Sequence, residues 1–154
     1  MKKLNIILIL SITLFLLSCG GEKMTNRTAT FYTTLGTIEI ELFEEWAPIT
    51  VANMVKHVEN DLYDGIFFHR VIDDFVTQSG DPECKAVGVY VPGLPPQCGE
   101  GGTGETIPLE HDENLSHVDG AIGMARSLDP DSADSQWYIA ETEAHNLDPE
   151  NRDG

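Results

Sequence analysis

The stretch Phe67-Phe68-His69-Arg70-Val71-Ile72-Asp73-Asp74-Phe75-Val76-Thr77-Gln78-Ser79-Gly80-Asp81-Pro82 limits what the chain can fold into more than any other. Ile66 to Arg70 and Phe75 to Gln78 read as two short strands around an Asp73-Asp74 turn. The same stretch sets one arginine and one glutamine among three phenylalanines, with no serine–histidine pair, metal cluster or phosphate loop beside them. Such a site can polarise an amide and grip an apolar ring. It lacks obvious means to cut a bond.

The chain on either side fits a mainly β domain. Thr30 to Thr34 and Thr37 to Leu42 flank Leu35-Gly36, the second run alternating apolar and polar residues, which predicts a β-hairpin. Pro48 opens a segment in which Val51, Val55, Val58 and Leu62, with Met54 beside them, fall on one helical stripe. With Gly65 closing it, the segment predicts a helix of about three to four turns. Further strands are expected at Gly120 to Arg126 and Gln136 to Ala140. Between the strand pairs lies a long irregular section from Asp81 to His117. No internal repeat is visible, and the pattern indicates a β barrel or sandwich with helical cover.

At 154 residues the chain is long enough for one compact domain and too short for two ordinary ones. Its formal charge of −17, from 26 acidic and 9 basic residues, argues against nucleic-acid binding, because phosphate is held by lysine and arginine. The five histidines, at 57, 69, 111, 117 and 145, include no pair that one helix face would turn toward a metal. Gly99 to Thr106 has the outline of a phosphate loop, but Glu105 stands where lysine is required. Asp129 to Asp134 begins like a calcium loop and lacks its glycine and terminal glutamate. Neither a metal nor another cofactor is expected.

Residues 1–18 read as an export signal: Lys2 and Lys3 form a positive start, and Leu4 to Leu17 form an apolar run shorter than a spanning helix requires. Leu16-Leu17-Ser18-Cys19 resembles a bacterial lipobox, which would make Cys19 the lipid-bearing residue and residues 19–28 a tether. The alternative is an ordinary signal peptide with an incidental cysteine. The expectation is an exported protein anchored in a membrane of the cell envelope through its N-terminal lipid. Cys84 and Cys98 then remain as an even pair, which in an exported protein suggests a disulfide closing the Pro- and Gly-rich insertion 83–98. Closing a loop of about 15 residues contributes roughly 3 kcal/mol in the chain-entropy model. Two unpaired thiols are the other reading.

The Phe67 to Pro82 block resembles the central signature of the cyclophilin family of peptidyl-prolyl cis-trans isomerases. Gly120-Ala121-Ile122-Gly123-Met124-Ala125-Arg126, followed by Asp134-Ser135-Gln136-Trp137-Tyr138-Ile139, looks like the family's second block. The resemblance spans roughly Ala29 to Leu147 and implies an eight-stranded antiparallel barrel capped by two helices, with a substrate groove on its outer face. In this chain it would occupy 29–154, with the last strands and second helix missing. It implies Arg70 as the catalytic residue and Phe75, Val76, Tyr138 and Leu147 as the lining of a proline pocket. Gln78, the backbone around Ala125 and Arg126, and Gln136 would border the substrate's main chain. Phe67, Phe68, Trp137 and Ile139 are expected in the core, and His69 in a structural role.

Departures from the family pattern are informative. Asn146 stands where many members carry tryptophan, Val76 replaces a more usual methionine, and Tyr138 replaces a more usual phenylalanine. The added hydroxyl of Tyr138 must find a partner or water.

The chemistry follows from the prolyl amide. Rotation about it is opposed by about 20 kcal/mol because the nitrogen lone pair is delocalised into the carbonyl. A guanidinium aimed at the twisting amide localises that pair without any proton transfer. The expected activity is X-Pro isomerisation in unfolded or loop segments of exported proteins, by a monomer whose partners are proline-containing polypeptides. The alternative is a proline-peptide binding module or holdase on the same scaffold.

Overall fold

The structure, a computed structural model, describes residues 25–85 and 98–148. The expected signal, Cys19, the first part of the tether and the interior of the insertion lie outside the described residues.

The described residues fold as a mainly β unit with one α-helix. Strand β1 (Arg27–Thr33) pairs antiparallel with β2 (Gly36–Leu42), in register from Arg27 opposite Leu42 to Thr33 opposite Gly36. The first strand thus begins inside the stretch expected to be tether. Thr33 holds the turn, its Oγ1 donating to Gly36 O at 2.7 Å and accepting from Leu35 N at 3.2 Å. Alternation then sends Phe31, Ile38, Ile40 and Leu42 toward the core.

Helix α1 (Pro48–Glu59) starts on proline, as expected, but no side chain of its own caps it. A carboxylate from the distant loop serves instead: Glu110 accepts from Ile49 N at 3.1 Å and Thr50 N at 2.7 Å. This satisfies two of the amides a helix start leaves open and sets a negative charge at the positive end of its dipole. The buried face carries Val51, Asn53, Met54 and His57, with Val55 packed against the core, so the expected stripe holds at Val51, Met54 and Val55 and is corrected at its far end. Val58 is exposed and Leu62 lies beyond the helix end. Asn53 turns inward because it has a partner there, its Nδ2 donating to Asp134 O at 2.6 Å, whereas the His57 ring packs edge-on to Tyr63 at 6.0 Å.

Strands β3 (Arg70–Ile72), β4 (Val76–Ser79), β5 (Ile122–Met124) and β6 (Trp137–Ala140) form a second antiparallel sheet in the order β3-β4-β6-β5. The expected hairpin around Asp73-Asp74 is present, with Asp74 in the left-handed region at φ 58°. Its first strand begins at Arg70 rather than Ile66, because Phe67 N is drawn away to Cys84 O at 3.2 Å. The described strands do not close into a barrel.

Trp137 joins the layers. It is 3% exposed and stacks on Phe31 of β1 at 5.0 Å, with Phe68 and Tyr63 edge-on at 5.7 and 6.3 Å. Ile40, Leu42, Val51 and Met54 complete the core, and Phe68 and Ile139 pack against it. Phe67 is only half-buried and stands apart from that cluster.

Candidate functional site

With Trp137 and Ile139 committed to the core, alternation along β6 turns Tyr138 to the opposite face. Register carries that face across the sheet: Arg70 lies opposite Gln78, Gln78 opposite Tyr138, and Tyr138 opposite Gly123. Directly paired residues of antiparallel strands share a face. Arg70, Gln78 and Tyr138 therefore stand in one cross-strand row on the outer surface.

Hydrogen bonds order the row. Arg70 Nη1 donates to Gln78 Oε1 at 3.1 Å, and Gln78 Nε2 donates to Gln136 Oε1 at 2.8 Å. Gln136 Nε2 donates in turn to Gly101 O at 2.8 Å. Beside this line Gln78, Gln136, Gly99, Gly101, Ala125 and Arg126 border a cavity of about 320 Å³. Four of the residues expected to border substrate are thus gathered on one opening. Ala125 N–H is already committed to Gln136 O at 2.9 Å.

The residues expected around a proline ring lie on the other side of the row. Val76, 2% exposed, is paired with Ala140 and can supply a floor but not an open wall. Phe75 is half-buried where the hairpin turn enters β4, its carbonyl accepting from Glu141 N at 2.9 Å. Leu147 ends the short 3-10 turn His145–Leu147. Close approach of Tyr138 to the backbone requires glycine at 123, where a Cβ would come 2.7 Å from the phenol ring.

Two functional neighbours of Tyr138 escaped the sequence reading. His117 Nε2 lies 2.8 Å from the Tyr138 hydroxyl and its Nδ1 lies 2.7 Å from Asp148 Oδ1. Asp148 is buried, and it also accepts from His117 N at 2.8 Å and from the Ser116 hydroxyl at 2.6 Å. Burial pushes its carboxyl upward, but the hydrogen bonds from Ser116, His117 and His145 together outweigh that and hold it well below the usual carboxylate range. Since Asp148 follows Leu147 directly, this cluster ties Leu147 to Tyr138. The unmet hydroxyl of Tyr138 was the one signal in the sequence that a partner must exist.

His69, expected in a structural role, is half-buried beside Gly99, where a Cβ would meet its ring at 3.5 Å. Burial lowers its pKa below the ordinary histidine value; the Asp81 charge opposes this and the Arg70 charge reinforces it. The net effect favours a neutral ring at pH 7, so no second positive charge stands beside Arg70. The expected disulfide is formed between Cys84 and Cys98. Among the described residues one grouping, His69 with Cys84 and Cys98, has ligand atoms within 4.8 Å of one another. Both sulfurs are joined in the disulfide, which leaves a single imidazole, fewer ligands than a metal site needs.

The cyclophilin type peptidyl-prolyl cis-trans isomerase family matches residues 28–152. The chain belongs to this family. Among its cyclophilin relatives, a peptidyl-prolyl cis-trans isomerase of Acinetobacter baylyi is 35% identical over 120 residues, covering 78% of this chain and 57% of that protein. A putative peptidyl-prolyl cis-trans isomerase of Staphylococcus aureus is 38% identical over 110 residues, covering 71% and 50%. The chain therefore spans little more than half the length of these curated relatives. Among solved cyclophilins, one from Cryptosporidium parvum, crystallised in the presence of the dipeptide Ala-Pro, superposes with a TM-score of 0.67 at 24% identity, over 79% of this chain and 72% of that one. AquaCyp293 from Hirschia baltica superposes at 0.58 with 29% identity, over 81% and 61%.

Proposed function

We propose that this cyclophilin accelerates cis–trans rotation about X-Pro bonds, with Arg70 as the catalytic residue. The observation that carries the reading is the cross-strand row in which Arg70, steadied by Gln78, stands on the same face as Tyr138. A proline ring seated between Phe75, Tyr138 and Leu147, over Val76, would hold one side of the amide while the preceding carbonyl turns. The Arg70 guanidinium keeps further N–H donors beyond the one given to Gln78, and these can meet the prolyl nitrogen as its lone pair localises. A donor preorganised for the transition state is worth about 3–4 kcal/mol, or roughly 10²–10³ in rate. Substrate main chain before the proline would run along the opening bordered by Gln78, Gln136, Ala125 and Arg126. Support comes from family membership and from the Cryptosporidium relative's Ala-Pro dipeptide.

The test is exchange spectroscopy on a short Ala-Pro peptide with the wild-type chain and Arg70→Ala. Acceleration by the wild type, lost in Arg70→Ala with peptide binding retained, is the expected result. Equal acceleration by both would overturn the Arg70 mechanism, and binding without acceleration by the wild type would favour a binding module.

We further propose export and lipid attachment at Cys19, which would present the isomerase to unfolded segments of other exported proteins. The support is the charged start, apolar run and Leu16-Leu17-Ser18-Cys19 junction. Mass analysis of the mature N-terminus should find a diacylglyceryl cysteine, absent in Cys19→Ala; an unmodified terminus would refute it.

A further inference from the structure

We propose that Asp81 and the Cys84–Cys98 disulfide are positioning elements for Arg70, acting through Gln136 and Gln78, so that isomerase activity depends on the redox state of the insertion. This rests on the reading of Arg70 given above and adds a control that the row itself does not contain.

The line from Arg70 has a fixed polarity. A guanidinium can only donate, which obliges Gln78 to present its oxygen to Arg70 and its amide nitrogen to Gln136. Gln136 is then obliged to point its own nitrogen at acceptors beyond. Those acceptors are Gly101 O at 2.8 Å, Gly99 O at 3.3 Å and Asp81 Oδ2 at 3.4 Å. The orientation of two glutamines, and through them of Arg70, is therefore set by where the 99–101 backbone lies.

That backbone belongs to no strand or helix, and it is held from two sides. Asp81 is fully buried; its Oδ2 accepts from Gly99 N at 2.6 Å and Gly101 N at 2.9 Å, while Oδ1 accepts from Glu83 N at 2.8 Å. The approach is too close for a side chain at 101, where a Cβ would lie 2.4 Å from Asp81 Oδ1. The second hold is covalent. Cys98 immediately precedes Gly99 and is bonded to Cys84, which is fully buried in the short turn that Asp81 caps. Cys84 N donates to Asp81 O at 2.9 Å, so anchor and clasp share one turn. A bond across 14 residues restricts the positions open to Cys98, and with them those of Gly99.

Reduction would release one hold. A dithiol supplies two electrons and two protons, the S–S bond becomes two thiols, and the dithiol closes to its own cyclic disulfide. With Cys98 to Gly101 loosened, Gln136 loses fixed acceptors and Gln78 can rotate away from Arg70. Phe75 and Leu147 lie across the row from this loop, and Tyr138, though in the row, is held separately by His117, so proline-ring binding is spared.

Isomerisation of a short Ala-Pro peptide should be measured on the full chain carrying Cys19→Ser, oxidised, reduced with dithiothreitol, and reoxidised. Reduction should lower kcat by about tenfold, as misplacement of a catalytic group does. KM should change less than about twofold and reoxidation should restore the rate. Asp81→Asn leaves one acceptor oxygen where Glu83 N faces one side and Gly99 N and Gly101 N the other, so an N–H₂ must meet a donor on one side, and it should lower kcat in the oxidised protein as well. In Gln136→Ala the line is already cut, and reduction should produce no further loss of kcat. An equal loss in Gln136→Ala would show general loosening and overturn the proposal. An unchanged kcat on reducing the wild type would do the same.

A readout independent of turnover separates this inference from the activity reading. The side-chain amide resonances of Gln78 and Gln136 and the Nε–H resonance of Arg70 should shift on reduction while the core Trp137 indole does not. If the oxidised protein fails to accelerate exchange, the activity reading falls and those shifts alone support the positioning line; unmoved resonances overturn it.

Discussion

The Tyr138 hydroxyl lies 2.8 Å from His117 Nε2, and the two rings stack with centroids 5.8 Å apart. The Asp148 carboxylate accepts from Nδ1–H of His117, and in that tautomer Nε2 is the acceptor and the phenol donates to it. The residue that would wall a proline ring is thereby fixed by a buried carboxylate two bonds away.

Tyr138→Phe keeps the ring and removes the donor. It should destabilise the fold by about 1 kcal/mol, since one hydrogen bond is lost. The urea midpoint should fall accordingly, while Ala-Pro peptide affinity stays within about twofold of wild type. A much larger loss of affinity would mean that the hydroxyl touches substrate directly.

Asp148 should make stability depend on acid. Its carboxyl is held below the ordinary value in the folded chain, so the stability it contributes is full above the unfolded-state value near pH 4. That contribution is lost progressively as pH falls below about 4 toward the folded-state value. Asp148→Asn should be less stable than wild type at pH 7, with the difference shrinking steadily below pH 4. Thermal melts of both proteins across pH 2–7 check this; a constant difference would contradict it.

Much of this was legible in the chain because it lies in local signals. The hairpin around Asp73-Asp74, the turn before Gly36 and the proline-started helix depend on residues adjacent in sequence. Period-two alternation correctly separated Trp137 and Ile139 from Tyr138. What stayed hidden was long-range and polar. Glu110 caps a helix 60 residues away, Asp81 gathers a loop beyond the insertion, and His117, read as one scattered histidine, meets Asp148 31 positions later. The helix stripe was right at Val51, Met54 and Val55 but missed a polar member for the same reason: Asn53 turns inward because Asp134 O awaits it, and no period in the sequence reports a distant carbonyl.

Trp137 is the contact between the two sheets, and Trp137→Ala should cost about 3–5 kcal/mol, the usual range for removing a large buried aromatic. Phe31, Phe68 and Tyr63 would all face the void. Trp137→Phe should be far milder, because its Nε1 finds no acceptor among the described residues and its removal relieves an unsatisfied donor. Calorimetric melting of the two variants distinguishes them; equal losses would show that the indole edge packs where phenyl cannot.

Arg70→Lys separates charge from geometry. An ammonium keeps the positive charge but gives up the planar fork with which Arg70 serves Gln78 and retains donors for substrate. If charge alone localised the prolyl lone pair, Arg70→Lys would retain most of the rate. If alignment is required, it should lose about tenfold or more, lying between wild type and Arg70→Ala. The double variant with Gln78→Ala decides how alignment is achieved. Gln78 orients Arg70 by accepting one guanidinium proton, so its removal should slow the wild type and add little once lysine is present. Additive losses would instead mean that Gln78 acts on substrate independently of Arg70, and that the hydrogen bond between them contributes little to turnover.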